Sequence, residues 1–122
     1  MSSHPNTMSH LTVPDTIPND AARLPMTMPR IAEHHRLGEK LVMVTAYDFP
    51  SARAAEVAGV DLVLVGDSGA MTVLGHDSTV AVTVDELLVL AKAVRRGLRT
   101  PFMVGDLPYG SYEVSDEQAV TT

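Results

Sequence analysis

The chain has 122 residues, and 45% of them are hydrophobic, enough for a real core; with 4% aromatics and no Trp, that core must be built from Val, Leu, Ala and Met. A net charge of −6 argues against a nucleic-acid-binding surface and fits a soluble, cytoplasmic protein. The absence of cysteine excludes a disulfide framework, a thiolate zinc site and a cysteine nucleophile together.

Residues 1–30 read as a flexible tail, with Pro5, Pro14, Pro18, Pro25 and Pro29 spread among Ser, Thr and Asn. They lack the basic start and continuous apolar stretch of a secretory signal. No stretch of the chain reaches the roughly 18 apolar residues of a membrane helix. Residues 31–122 then alternate regularly. Leu41 to Thr45 is a short apolar run that suits a strand buried on both faces. Pro50 opens a helix with Ala54, Val57 and Ala58 on one face and Gly59 as its stop. Asp61 to Val65 is a second strand, ended by Gly66-Asp67-Ser68.

A loop is expected from Gly69 to about Val82. Thr83 and Glu86 have the spacing of a capping box, so a helix starts near Val84. Leu87, Leu90, Ala91 and Val94 recur at helical spacing, Lys92, Arg95 and Arg96 suit the C-terminal end of the dipole, and Gly97 is read as the stop. Pro101 to Val104 is a third strand, ended by Gly105-Asp106, and Ser115 with Gln118 announces a third helix.

Strand–helix alternation of this kind implies a parallel sheet with right-handed crossovers. No Gly-x-Gly-x-x-Gly follows a strand, which counts against a dinucleotide-binding domain. A barrel is the better reading. A closed barrel needs eight βα units and about 250 residues, and three parallel strands alone leave two open edges. The expectation is therefore the first three βα units of a (β/α)8 TIM-type barrel, truncated.

Two strands end alike, in Val65-Gly66-Asp67 and in Val104-Gly105-Asp106. Active sites of parallel α/β folds form at the C-terminal strand ends, and neighbouring strands lie about 4.8 Å apart. Asp67 and Asp106 can therefore share one small cation, and an oxygen-only ligand set favours Mg²⁺ over zinc. Asp after Gly also serves as a plain cap or turn residue, and the pattern alone leaves both readings open.

Four segments stand in order: Thr45-Ala46-Tyr47-Asp48, Leu64-Val65-Gly66-Asp67-Ser68, Gly75-His76-Asp77-Ser78-Thr79 and Asp106-Leu107-Pro108-Tyr109. Together they resemble the ketopantoate hydroxymethyltransferases. The resemblance implies a (β/α)8 barrel that moves a one-carbon unit from 5,10-methylenetetrahydrofolate to 3-methyl-2-oxobutanoate, giving 2-dehydropantoate in pantothenate synthesis. It implies that Asp67 and Asp106 bind Mg²⁺, and that these two and Ser68 contact the 2-oxo acid. It also implies a homo-oligomer, with the general base beyond Thr122, so that this chain alone is expected to be inactive. The ion would draw electron density from the chelated 2-oxo acid and stabilise the enolate formed at C3.

Tyr47 is a candidate for lining the site, while Asp48 reads as the cap of the helix at Pro50. His76 reads as structural, Asp77, Ser78 and Thr79 as loop-shaping, and His34 and His35 as solvated. Two alternatives remain at this point. One is a phosphoenolpyruvate mutase or isocitrate lyase-like barrel, which shares a start resembling Ala46-Tyr47-Asp48 and an Ala-Gly like Ala58-Gly59. The other is a non-catalytic truncated product.

Overall fold

The structure, a computed structural model, describes residues 23–122. Most of the segment read as a tail lies outside the described residues. Its last part does not behave as a tail. Met26 is buried and its N–H donates to Thr100 O at 2.8 Å, while the Arg30 guanidinium donates to Leu24 O and Pro25 O. Helix α1, Met28–Leu37, starts before the expected boundary, with Thr27 accepting the Arg30 N–H and Gly38 closing it in the left-handed conformation at φ 70°. Pro29 sits in the first turn, where a missing N–H costs nothing. The proline marks a helix start, not a coil.

The remaining elements follow in alternation: β1 Met43–Thr45, α2 Phe49–Ala58, β2 Leu62–Val65, α3 Gly69–Thr72, α4 Val84–Gly97, β3 Phe102–Gly105 and α5 Asp116–Thr121. The three strands form one parallel sheet in the order β1-β2-β3. Met43 pairs with Leu62 and Leu62 with Phe102, while Val44 pairs with Val63 and Val63 with Met103. Side chains alternate along each strand, so these pairings define two faces. Val63 and Val65 lie on one, buried with Ala52, Ala55, Leu87, Leu90 and Val94 of α2 and α4. Met43, Leu62, Leu64, Phe102 and Val104 share the other face.

That second face corrects the reading of the first strand. Met43 is 53% exposed and Val44 36%, so β1 is not buried on either side. It is an edge strand, paired only with β2 among the described residues.

The packing of α2 differs from its expected face as well. Ala52, Ala55 and Glu56 are buried, whereas Ala54, Val57 and Ala58 are exposed. Small apolar residues line both sides of this helix, so composition does not choose between them. Gly97 chooses. It ends α4 as expected, but as the helix's last, buried residue, pressed against α2. A β-carbon there would lie 2.7 Å from Ala52 Cβ and 3.0 Å from Phe49 O, closer than atoms pack. The glycine lets the two helix backbones approach, and alanines on α2 complete the fit. Gly59, by contrast, is the expected left-handed cap of α2 at φ 75°.

Glu56 gives the contact between α2 and the α4–β3 connection its polar anchor. Its carboxylate accepts from Arg99 N at 2.7 Å, Thr100 N at 3.1 Å and Thr100 Oγ1 at 2.7 Å. Burial alone would raise its pKa; the hydrogen bonds from Arg99 and Thr100, with the Arg23 charge nearby, outweigh burial and hold it below the ordinary glutamate value.

Candidate active site at the strand ends

The sheet order brings the ends of β2 and β3 side by side. Asp106 N donates to Val65 O at 3.0 Å, extending the β2–β3 ladder by one bond. The Asp67 N–H donates to Asp106 Oδ2 at 3.2 Å, so the backbone of one expected site residue holds the carboxylate of the other. Between them stands Gly66. A β-carbon on Gly66 would meet Ser68 Oγ at 3.1 Å and Asp106 Oδ2 at 3.4 Å, so both side chains approach the same glycine, and a methyl there would press on the Ser68 hydroxyl. The Ser68 and Asp106 side chains are thus brought together, and Asp67 joins them through its backbone N–H. Among the described residues the Asp67 carboxylate has no hydrogen-bond partner of its own.

Ser68 opens α3, a short helix inside the stretch expected to be loop. Ala70 and Met71 N–H donate to Asp67 O and Ser68 O at 2.9 and 3.0 Å, which winds the chain at once after the strand. The Ser68 side chain takes no part in capping that helix. Its hydroxyl pairs with the Tyr47 hydroxyl at 2.6 Å, across 21 residues of sequence. Tyr47, named from sequence only as a possible lining residue, is therefore a member of the cluster. Its neighbour Asp48 is the cap it was expected to be, forming a capping box with Ser51 at the start of α2. The Ser51 hydroxyl and N–H that donate to Asp48 hold its carboxyl below the usual range.

His76 lies apart from this cluster. Its Nε2 is 3.1 Å from Glu86 Oε1 and its N–H donates to Ala70 O at 2.9 Å, a scaffold role that matches its structural reading. Glu86 also closes the capping box of α4 with Thr83. The Thr83 N–H, and after it the His76 side chain, keep Glu86 more acidic than a free glutamate. An apolar cleft of about 230 Å³ runs between α4 and the end of β3, lined by Leu87, Ala91, Gly105, Asp106 and Pro108 among others. It reaches Asp106 but neither Asp67 nor Ser68.

The donors at the strand ends suit a hard divalent cation in type: two carboxylates and a hydroxyl, with no nitrogen or sulfur. They are few. Among the described residues no group of three His, Cys, Asp or Glu side chains is placed to hold a metal ion. No helix of the described residues is long and apolar enough to cross a membrane.

A model of the ketopantoate hydroxymethyltransferase family matches residues 25–122, the whole stretch that holds the sheet, the helices and the strand-end cluster. The chain belongs to the ketopantoate hydroxymethyltransferase family. The match decides for this family over the mutase and lyase barrels as the better resemblance. It also begins ahead of residue 31, in agreement with the packed position of Met26. Similar proteins include a 3-methyl-2-oxobutanoate hydroxymethyltransferase of Geobacillus kaustophilus, 60% identical over 83 residues, covering 68% of this chain and 30% of the relative. A mitochondrial enzyme of that name in Arabidopsis thaliana is 50% identical over 97 residues, covering 80% of this chain and 28% of its own. One from Exiguobacterium sibiricum is 53% identical over 94 residues, covering 77% and 34%. The chain thus spans about a third or less of the relatives it matches.

Proposed function

We propose that these residues form the cation- and substrate-binding end of a 3-methyl-2-oxobutanoate hydroxymethyltransferase. The observation that carries the proposal is the approach of Ser68 Oγ and the Asp106 carboxylate over Gly66, with Asp67 N–H donating to that carboxylate, in a chain of this family. In it, Asp67 and Asp106 hold Mg²⁺ and Ser68 hydrogen-bonds the 2-oxo acid. Bound Mg²⁺ would supply electron withdrawal from a 2-oxo acid, easing loss of the C3 proton, and 5,10-methylenetetrahydrofolate would supply the one-carbon unit that becomes the new hydroxymethyl group.

The protein's own part in this reading is placement. The β2–β3 pairing sets Asp67 and Asp106 at neighbouring strand ends, and Asp67 N–H donates to the Asp106 carboxylate, which supports a shared cation. With Asp67 and Asp106 committed to the cation, the cluster contains no carboxylate or imidazole to take the C3 proton. A positioned base contributes roughly 10²–10⁴-fold, so these 122 residues by themselves are expected to be inactive. The open sheet face supports a closed (β/α)8 barrel in the complete enzyme: Leu62, Leu64, Phe102 and Val104 are apolar side chains that further strands would cover.

A graft tests the proposal. Residues 25–122 replace the matching stretch of the Geobacillus kaustophilus relative, and formation of 2-dehydropantoate is measured with and without Mg²⁺. The expected result is Mg²⁺-dependent turnover by the graft and none by the 122-residue chain. Turnover that survives Asp106→Asn unchanged would refute the assignment.

A further inference from the structure

Among the described residues, four helices begin with a residue whose side-chain oxygen accepts a backbone N–H three positions on: Thr27, Asp48, Thr83 and Ser115. Ser68 is the exception. It stands before α3 in the αR conformation, at φ −58°, with no side-chain cap bond. A hydroxyl at a helix start ordinarily spends itself on the backbone. This one is left for Tyr47.

The Tyr47 ring is fixed from several sides. It packs against the core cluster, and a β-carbon on Gly69 would lie 2.9 Å from both Tyr47 Cδ1 and Leu90 Cδ1. Gly69 thus makes the slot in which the ring stands, and the slot delivers the phenol to Ser68 at 2.6 Å. A phenol hydroxyl is a stronger hydrogen-bond donor than an aliphatic one. When it donates, one lone pair of the serine oxygen is taken and the serine proton must point away from Tyr47, free to meet another acceptor.

We propose that Tyr47 is a positioning residue for the 2-oxo acid: its hydroxyl donates to Ser68 Oγ and so turns the Ser68 proton toward the substrate carboxylate. The inference rests on the proposed function of the strand-end cluster. Tyr47 touches no reacting atom in it and acts through Ser68 alone. Its removal should therefore weaken binding of the 2-oxo acid and leave the chemical step nearly untouched.

The test uses the graft described above, with Tyr47→Phe, Ser68→Ala and the double variant, each checked by thermal melting. Tyr47→Phe keeps the ring and loses only the hydroxyl. The loss of one hydrogen bond in the pair predicts a KM for 3-methyl-2-oxobutanoate raised about 3–10-fold, with kcat within about 2-fold. The double variant should be no worse than Ser68→Ala, because two residues acting through one bond are not additive. A merely structural tyrosine would instead lower the melting temperature and add its effect to that of Ser68→Ala. An unchanged KM, or additivity, in an active graft overturns the inference alone. A folded graft without hydroxymethyltransferase activity overturns the reading of the site and this inference with it.

Discussion

Glu56 and Asp67 are both carboxylates beside the same sheet, and they are treated in opposite ways. Glu56 is buried and accepts three hydrogen bonds from Arg99 and Thr100. Asp67 is half-exposed and its carboxylate has no partner among the described residues, although its own N–H orients Asp106. A satisfied acid holds the fold together, whereas the unsatisfied one at a strand end is, in the proposed reading, left for a ligand. On that reading the difference separates structure from function in this chain.

The comparison is broken most severely at Glu56. Glu56→Ala strands two backbone N–H groups and the Thr100 hydroxyl, and should cost about 3 kcal/mol of stability by urea unfolding, from roughly 1–3 kcal/mol for each buried group left unpaired. A loss below about 0.5 kcal/mol would mean that the anchor is dispensable. Gly97→Ala follows. Its methyl meets Ala52 and Phe49, and overpacking typically costs about 1–3 kcal/mol, here partly offset by the roughly 1 kcal/mol that alanine gains over glycine in a helix. Gly97→Ala combined with Ala52→Gly should recover part of the loss, which a plain helix stop at Gly97 would not show.

Acid sharpens the same contrast. The folded-state pKa of Glu56 lies below its unfolded value, so its contribution to stability is complete above the unfolded glutamate pKa of about 4.3 and fades as pH falls through the lower folded value. Stability measured from pH 6 to pH 3 should therefore drop, and Glu56→Gln should flatten the drop. The smallest effect belongs to the other carboxylate. Asp67→Asn touches no partner of the Asp67 side chain among the described residues, so its stability should stay within about 0.5 kcal/mol of the parent.

Much of this was open to a reader of the sequence, and where it was not, the cause is specific. Thr83 with Glu86, Asp48 before Pro50 and Ser115 with Gln118 are local hydrogen-bonding patterns, so the starts of α4, α2 and α5 could be read directly. The paired Gly-Asp strand ends were legible because a barrel places consecutive strands side by side. Helix α1 was hidden by prolines that serve a helix start as well as a coil. The buried face of α2 was hidden because apolar residues line both sides, and only the bare Gly97 of α4 breaks the tie. Tyr47 and Ser68 meet across 21 residues, and Glu56 meets Thr100 across 44; neither pairing has a sequence signal, since serine before a helix defaults to capping and glutamate on a helix to solvent.

The most direct test is hydroxymethyltransferase activity of the graft carrying Asp67→Asn, measured beside its melting temperature. The account predicts that activity falls at least about 100-fold, the scale on which removing a key electrostatic group acts, while the melting temperature stays within about 2 °C. Retained activity, or a loss of activity that follows a collapse in melting temperature, would contradict the assignment of Asp67 to the ligand.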